Sequence, residues 1–268
     1  MKVGGDVTGP QTAGEIQPKG LAPRPRTVAV IPALNEAQSI GRTVRGLNRD
    51  LLDVIVVVDN GSTDATTYEA GAAGAVVVSE PERGYGAACA AGIAEAYRQG
   101  AEIVVLLDGD ASDDPRDLPA LLAPVLDGAA DFAMGSRTRG TVEAGALLPQ
   151  QRFGNWFAAL ILRRYGLRIT DLGPFRAIRA DALARLDMRE RTYGWSTEML
   201  VKAARAGLRV REVPVSYRRR AGGQSKVAGT VRGGVQAAAV ILRTTVRYAR
   251  WQPERGAATP DCPQGRAA

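Results

Sequence analysis

"EIVVLLDGDASDD", residues 102–114, runs a short apolar stretch directly into four closely spaced aspartates. Similar apolar runs come earlier, as TVAVI (27–31), VIVVV (54–58) and AVVV (75–78), with helical spacing between them. Continuous runs of Val and Ile are typical of strands buried on both faces, and their alternation with helices is typical of a parallel sheet built from right-handed crossovers. The sequence therefore predicts an α/β fold with a mainly parallel sheet flanked by helices.

A polar cluster follows three of these predicted strands, at the point where each strand ends. The clusters are PALNE (32–36), DNGSTD (59–64) and DGDASDD (108–114). Each alone has a simple structural explanation, as a helix cap, a turn or an exposed acidic loop. Because ligands bind at the carboxyl ends of the strands in such sheets, three clusters at one rim predict a binding site.

The composition limits the chemistry that this site can use. The chain has no histidine, so any general base must be a carboxylate and any metal should be a hard, oxygen-bound ion such as Mg2+ or Mn2+. Asp108 and Asp110 are two residues apart, and in an extended segment both carboxylates can reach one metal ion. The two cysteines, Cys89 and Cys262, have no zinc-binding or disulfide spacing, which favours a reducing compartment.

Positive charge is concentrated in the C-terminal part of the chain. Between Leu208 and Trp251 there are ten Arg or Lys residues and a single acidic residue, Glu212. Few aromatic residues accompany this charge and no nucleic-acid-binding motif is recognisable, so nucleic acid is not the predicted partner. Phosphorylated substrates or anionic lipids fit this charge at least as well.

A dinucleotide-binding dehydrogenase is the main competing α/β interpretation. It requires GxGxxG directly after the first strand, where this chain has PALNE. GYGAACAAG (84–92) matches the glycine pattern only in part and follows the third strand, and it also reads as a helix start with small residues for close packing. The dehydrogenase interpretation is therefore weak.

Eight short motifs, taken in order, carry a specific resemblance to a known family. They run from about Thr27 to about Thr230 and read PALNE, VVDNGSTD, GYGAA, LDGD, GSR (135–137), TDLGPFRA (170–177), YGWSTEM (193–199) and RAGGQSK (220–226). In this order the chain resembles the family 2 glycosyltransferases of the GT-A fold, nearest to the dolichyl-phosphate mannosyltransferase and polyprenyl-phosphate glycosyltransferase branch. The resemblance implies metal-dependent transfer of a hexose from a nucleotide diphosphate sugar.

The resemblance also implies which residues meet the donor. The positions that match the family's nucleotide pocket are Pro32, Leu34, Glu36 and Asp59. The positions that match residues meeting donor or acceptor phosphates are Arg137, Arg220 and Lys226, and arginine can grip phosphate oxygens through two hydrogen bonds. Without the family spacing, the basic run 218–220 would instead read as a solvated strand end.

Asp108, Gly109 and Asp110 match the family's DxD signature, in which the aspartates hold the Mg2+ or Mn2+ ion that bridges the donor diphosphate. The next residues depart from the family pattern, because many relatives read DADGQHDP where this chain reads DGDASDDP. Ser112 thus replaces a glutamine that can join the metal shell. The third metal contact is left open among Ser112, Asp113 and a water molecule.

A general base is needed only for some acceptors. A phosphate acceptor is already anionic near neutral pH, whereas a hydroxyl acceptor needs a positioned carboxylate. The candidates are Asp171 and Glu198, which complete a predicted catalytic set with Asp110 and Arg137. Each carboxylate has an alternative role, Asp171 in a hydrogen bond to the following turn and Glu198 as an acid in the first turn of a helix.

The predicted organisation has four parts. They are a disordered leader (1–26), a GT-A domain (27–230), a basic amphipathic helix (231–251) and a disordered tail (252–268). The helical segment contains too many arginines to span a membrane. If this segment is helical, its polar side contains Arg232, Gln236, Arg243, Arg247 and Arg250, and its opposite side contains Ala238, Ile241, Leu242 and Tyr248. Such a helix lies on an anionic membrane, or packs on the domain's own core or a second subunit.

The leading prediction is an inverting, metal-dependent glycosyltransferase whose acceptor is polyprenyl phosphate, in the cytoplasm or on the cytoplasmic face of the membrane. One alternative keeps the donor chemistry but uses a soluble or glycolipid hydroxyl acceptor. Another is a catalytically silent subunit that binds nucleotide sugars or supports an assembly. Homo-oligomer formation is left open.

Overall fold

The computed structural model describes residues 24–147, 149–221 and 231–253 of the 268-residue chain. Within this part, seven strands form one sheet in the order β3-β2-β1-β4-β6-β5-β7. The strands are β1 (Thr27–Ala33), β2 (Val54–Asp59), β3 (Val76–Ser79), β4 (Ile103–Leu106), β5 (Phe132–Ser136), β6 (Arg176–Arg179) and β7 (Val210–Pro214). The pairs along the sheet are parallel except where β6 meets β4 and β5. The predicted mainly parallel α/β fold is confirmed.

Helices cover both faces of this sheet. They are α1 (Ile40–Gly46), α2 (Thr66–Ala72), α3 (Tyr85–Arg98), α4 (Leu118–Leu126), α5 (Pro149–Arg163), α6 (Ala180–Arg185), α7 (Trp195–Arg205) and α8 (Val231–Tyr248). Successive residues of β1 belong to two different hydrophobic cores: Val28 and Val30 pack with α3 and α7, and Ala29 and Ile31 pack with α1 and α4. This two-sided burial explains why the strand is apolar at every position.

One predicted strand is less buried than its sequence indicates. The run AVVV was expected to be covered on both faces, but Val76 and Val77 are 40% and 37% exposed. β3 lies at the edge of the sheet and pairs with β2. An edge strand is covered by fewer neighbours, so an apolar run alone does not establish full burial.

The strand register brings the three polar clusters together. β1 pairs with β2 so that Ala33 lies opposite Asp59, and it pairs with β4 so that Val30 lies opposite Leu106. The three strands are parallel neighbours and end at the same edge of the sheet. PALNE, DNGSTD and DGDASDD therefore follow one another along a single rim.

The described region begins within the predicted leader. Residues 24–26 were assigned to the disordered leader, yet Arg24 forms an ion pair with Asp53 at 2.8 Å and the Arg26 backbone N–H donates to Glu102. The remaining leader, the tail beyond residue 253 and Lys226 lie outside the described residues. Within the described residues, no helix has the length and apolar character needed to cross a membrane.

The C-terminal helix α8 lies against α5 and α7. Tyr248 is buried, and the Lys202 ammonium lies 4.7 Å from the centre of its ring and 5.0 Å from that of Trp251. Part of the predicted apolar side thus packs on the domain itself. Leu242, assigned to the same side, is instead 48% exposed, because the side of α8 that meets the domain is centred on Tyr248 and turns Leu242 away.

Candidate active site

A cavity of about 520 Å3 opens at the rim formed by the ends of β1, β2 and β4. Its walls come from the loops after these strands, the start of α3, the start of α7 and Arg220. The predicted site residues that line it are Pro32, Leu34, Glu36, Asp108, Gly109, Asp110 and Arg220. The predicted residues Asp59, Arg137, Asp171 and Glu198 are not among the residues that line it.

The loop after β1 is fixed at the edge of the cavity by hydrogen bonds to the loop after β2. Asn35 has a positive φ of 52°, its backbone N–H donates to the Ser62 hydroxyl at 2.9 Å, and its side-chain oxygen accepts from the Thr63 backbone at 2.8 Å. The Glu36 backbone N–H donates to the Thr66 hydroxyl at 2.8 Å. Two of the three predicted polar clusters therefore brace each other, with Leu34 and Glu36 lining the cavity.

Asp59 was predicted to line the nucleotide pocket, whereas in the structure its neighbour Asn60 lines the cavity and Asp59 does not. The Asp59 carboxylate accepts from the Ser62 backbone N–H at 3.0 Å and so shapes the turn. Asn60 is 5% exposed; its amide donates to the Glu80 and Glu82 carbonyls, and its oxygen accepts from the Gly84 N–H at 2.8 Å. A satisfied, buried amide fixes the loop that leads into α3.

The aspartate pair after β4 is built into a dense set of contacts. One oxygen of Asp110 accepts from the Ser112 backbone N–H at 2.9 Å and from its hydroxyl at 2.5 Å, and the other lies 3.0 Å from Arg220 Nε. Asp108 accepts from the Tyr85 hydroxyl at 3.3 Å. Burial, followed by the charge of Asp110, raises the pKa of Asp108 to about 6.

The oxygen atoms here suit a hard divalent ion. The Ser112 hydroxyl donates its hydrogen bond to Asp110. Asp113, in contrast, is 2% exposed, and neither of its carboxylate oxygens has a hydrogen-bond partner among the described residues. Burial raises the pKa of Asp113 well above its ordinary value. Carboxylate oxygens are the ligands that Mg2+ and Mn2+ prefer, although the described residues contain no preformed group of three metal-binding side chains.

Arg137 and Asp171, predicted as a phosphate contact and a base, form a buried pair. Arg137 Nε and Nη2 donate to the two Asp171 oxygens at 2.8 Å each, and Asn155 and the Leu172 N–H also donate to this carboxylate. Burial opposes ionisation of Asp171, but the hydrogen bond and charge of Arg137 outweigh it and hold the pKa of Asp171 below its ordinary value. An anchored carboxylate of this kind is a poor general base.

Glu198, the other predicted base, lies in a second buried pair. Its side chain and that of Lys202 are both 0% exposed, and their charged atoms are 2.7 Å apart. Glu198 also accepts from the backbone N–H groups of Arg189 at 2.9 Å and Glu190 at 2.7 Å. In the structure Glu198 thus holds the segment before α7 and is not among the residues that line the cavity, and its role as a base stays a prediction.

The segment before α7 reaches the cavity by close packing against the start of α3. A Cβ atom at Gly84 would lie 2.2 Å from the Arg191 carbonyl oxygen, and one at Gly86 would lie 2.2 Å from the Glu190 carbonyl oxygen. The Ala87 N–H donates to the Arg191 carbonyl at 2.9 Å. The small residues of GYGAACAAG therefore permit this contact, and Thr192 and Tyr193 line the cavity as a result.

Several residues that build the cavity were not named from the sequence. Arg83, Tyr85, Tyr193 and Ser196 line it, and the buried Arg176 donates to the Gly173 carbonyl at 2.8 Å below it. All except Arg83 stand inside motifs quoted above, so their presence was visible in the sequence. Their orientation was not, because it depends on contacts between segments far apart in the chain.

Comparison with known proteins agrees with this geometry. The profile of the glycosyl transferase family 2 matches residues 28–187, a range that contains all three polar clusters. An uncharacterized glycosyltransferase of Mycobacterium tuberculosis is 41% identical over 208 residues, 77% of this chain and 91% of that protein. The undecaprenyl-phosphate mannosyltransferase of Micrococcus luteus is 32% identical over 243 residues, 85% of this chain and 96% of that protein. Glucosyl-3-phosphoglycerate synthase from Mycobacterium tuberculosis, solved with Mn2+ and UDP-glucose, superposes with a TM-score of 0.65 at 26% identity, over 82% of this chain and 79% of that one.

Proposed function

The chain belongs to the glycosyl transferase family 2, and from that premise we propose that it transfers a hexose from a nucleotide diphosphate sugar to a polyprenyl phosphate, with inversion at the sugar carbon. Family membership makes the protein a glycosyltransferase, and its fold is GT-A. The observation that carries the proposal is the Asp108–Asp110 pair, which lines a cavity of about 520 Å3 beside the positive charge of Arg220.

The cavity suits a nucleotide diphosphate sugar in size and charge. Its volume lies in the range of small-molecule sites, and Glu36 lines the end formed by the β1 loop, where a carboxylate can accept from ribose hydroxyl or base N–H groups. Arg83 and Arg220 supply positive charge for the diphosphate. The Micrococcus relative is named for mannose and the synthase was solved with UDP-glucose, so GDP-mannose and UDP-glucose are the first donors to test.

Asp108 and Asp110 are the residues that would hold Mg2+ or Mn2+. Such an ion, when bound, stabilises negative charge on the departing diphosphate as a Lewis acid. The chain's own residues prepare the position: Ser112 orients the Asp110 carboxylate, and the Tyr85 hydroxyl donates to Asp108. Arg220 adds a positive charge beside Asp110, and Arg can also bind phosphate oxygens directly.

The contacts of the two predicted bases support a phosphate acceptor. Asp171 is occupied by Arg137, and Glu198 is occupied by Lys202. A hydroxyl acceptor needs a carboxylate to remove its proton, whereas a phosphate acceptor attacks as an anion near neutral pH. The name of the Micrococcus relative includes undecaprenyl phosphate, which agrees in chemical class. We accordingly infer that the enzyme works at the cytoplasmic face of a membrane that contains its acceptor.

A donor screen tests the proposal. Wild type, Asp110→Ala and the exposed control Asp127→Ala would be incubated with a short-chain polyprenyl phosphate, with Mg2+, Mn2+ or EDTA, and with GDP-mannose, UDP-glucose, UDP-galactose or UDP-N-acetylglucosamine. Release of nucleoside diphosphate and formation of lipid-linked sugar would be measured together. We expect metal-dependent release matched by lipid product in wild type and control, and neither in Asp110→Ala.

Two outcomes would contradict the proposed acceptor or activity. Transfer to a hydroxyl-bearing glycolipid or soluble sugar, with no lipid-phosphate product, would favour the hydroxyl acceptor. Donor binding without turnover on any acceptor would favour a catalytically silent nucleotide-sugar-binding subunit. The stereochemistry of the product, read by NMR of the anomeric proton, tests inversion separately.

A further inference from the structure

Helix α5 turns a stripe of large apolar side chains toward solvent. Phe153 is 63% exposed, Trp156 is 58% exposed and Leu160 is 46% exposed. Their spacing of three and four residues places them on one side of the helix. The Phe153 and Trp156 rings are in contact, with centroids 5.8 Å apart. A contiguous exposed group of this kind marks an interaction site more often than isolated surface residues do.

Helix α8 lies against α5 and adds a second apolar stripe. Leu242 is 48% exposed and Val246, one turn further, is 67% exposed. The opposite side of α8 carries the buried Thr244, Thr245 and Tyr248, which face the domain. Two neighbouring helices thus each cover the domain with one side and turn apolar side chains outward with the other. We name the exposed side chains of these two helices the α5–α8 face.

The charge of the α5–α8 face has one sign. Neither α5 nor α8 contains an acidic residue. Exposed arginines lie beside the apolar stripes, Arg152 and Arg163 on α5 and Arg243 and Arg247 on α8. Apolar and aromatic side chains bordered by arginine are typical of surfaces that insert among the headgroups of anionic lipids.

A second cavity, of about 490 Å3, adjoins the C-terminal end of α8. Its charged lining residues are four arginines and one acid, Arg185, Arg189, Arg247, Arg250 and Asp187, and Trp251 also lines it. Two of the arginines already meet acids, since Arg189 pairs with Asp187 at 2.7 Å and Arg247 lies 3.6 Å from Glu190. The remaining positive charge is suited to a phosphate group, which arginine binds through paired hydrogen bonds.

We propose that the α5–α8 face docks on an anionic lipid bilayer and that the arginine-lined cavity receives a lipid phosphate headgroup. A second copy of the chain is a poorer occupant, because a two-fold interface would place this face against itself and bring like charges together. A bilayer that contains anionic lipid offers both an apolar interior for Trp156 and negative charge for the arginines. The proposal rests on the proposed function only in taking the acceptor to lie in the same bilayer.

The α5–α8 face shares its supporting residues with the active site. Asn155 of α5 donates to Asp171, the partner of Arg137. Tyr248 of α8 covers Lys202, the partner of Glu198, and Glu198 holds the segment that supplies Thr192 and Tyr193 to the cavity. The two helices that carry this face therefore also contact the residues that support the cavity.

Vesicle sedimentation of the full chain tests the proposal without any assay of activity. Vesicles of phosphatidylcholine alone would be compared with an equimolar mixture of phosphatidylcholine and phosphatidylglycerol. The variants would be Trp156→Gln, Val246→Gln and Arg250→Gln, and the matched controls would be Tyr68→Gln, which removes an aromatic ring that is 73% exposed on α2, and Arg42→Gln on α1. All five changes are at the surface, so each variant should fold.

We expect wild type and both controls to bind the mixed vesicles and to bind pure phosphatidylcholine weakly. The partition coefficient should fall about tenfold for Trp156→Gln and roughly fivefold for Arg250→Gln. Equal binding by wild type and the α5–α8 face variants would overturn the proposal. The proposal would also be overturned if the wild type bound no vesicles and was a dimer by light scattering, and if Trp156→Gln was a monomer. Because binding is read directly, an enzyme with a different acceptor would still give the expected result.

Discussion

The Asp171 carboxylate accepts hydrogen bonds from Nε and Nη2 of Arg137 at 2.8 Å each, and both side chains are nearly inaccessible to solvent. The Arg137 backbone N–H donates to the same carboxylate at 2.8 Å. The end of β5 is thereby joined to the segment that leads to β6, beside the wall of the cavity that contains Leu172 and Pro174. In the folded chain the predicted phosphate contact and the predicted base therefore pair with each other, as a buried clamp between these two segments.

Removing the charge of Asp171 should lower the free energy of unfolding. In Asp171→Asn the buried guanidinium of Arg137 loses its counter-charge, and breaking a buried pair costs about 3–5 kcal/mol. The matched control is Asp181→Asn, because Asp181 makes the same two-point contact with Arg179 in an exposed pair, and exposed pairs contribute about 1 kcal/mol or less. Urea unfolding followed by circular dichroism would compare the two; similar losses would contradict the assignment of a buried clamp.

The pKa of Asp108 predicts how metal binding depends on pH. Its value of about 6 means that a proton competes with the metal below that pH, so the affinity for Mn2+ should fall roughly tenfold between about pH 7 and about pH 5. The folded state keeps this proton to higher pH than the unfolded state does. The metal-free protein therefore loses stability as the pH rises from the ordinary value of 3.8 toward 6.

Calorimetric titration with MnCl2 and thermal unfolding, with and without Mn2+, would measure both effects of Asp108. Asp108→Asn should bind weakly at every pH, and the exposed Asp127→Asn should follow wild type. A Mn2+ affinity that does not change across this pH range would show that Asp108 is already ionised at the lower pH, or that it is not a metal ligand.

The sheet was predictable because its strands are buried on two sides. The apolar runs that begin at Thr27, Val54 and Ile103 are continuous, and the strand ends are marked by abrupt changes to polar residues. The strands beyond β4 were harder to place. β6 reads RAIR, and its buried arginine, Arg176, interrupts the apolar pattern that identifies a strand. It is accommodated there because it donates to the Gly173 carbonyl, three residues away, and to the Ser196 carbonyl, 20 residues away.

The sequence predicted where the site lies, at the rim of the sheet, but not which individual carboxylates face the cavity. Motif order locates the Asp108–Asp110 pair at a strand end, since strand ends are local features. Whether Glu198 faces the cavity depends on Lys202, one turn along α7, and on the ring of Tyr248, 50 residues away in the sequence. An acid in the first turn of a helix has the same sequence pattern whether it is a base or a buried partner.

Because α3 packs closely against the segment before α7, adding a single methyl group to α3 at this contact should strongly reduce activity. In Gly86→Ala the new Cβ would lie 2.2 Å from the Glu190 carbonyl oxygen, so that segment must move and carry Tyr193 with it. We expect kcat/KM to fall about tenfold or more, because small displacements of positioning residues have large effects on rate. The control is Gly154→Ala, also within a helix, where nothing lies within 4 Å of the new atom and helix propensity favours alanine by about 1 kcal/mol. Unchanged kinetics in Gly86→Ala would mean that the segment adapts.

The Glu198–Lys202 pair can be separated from catalysis by replacing both residues. Lys202→Met alone leaves the buried Glu198 charge without its partner and should cost about 3–5 kcal/mol of unfolding free energy. In the double variant Glu198→Gln/Lys202→Met no unpaired charge remains, so it should be more stable than Lys202→Met. Because Glu198 does not line the cavity, the double variant should keep most of the wild-type kcat and the same pH profile at a temperature where circular dichroism shows it folded. A folded double variant slowed roughly a hundredfold or more, with a changed pH profile, would instead identify Glu198 as the general base.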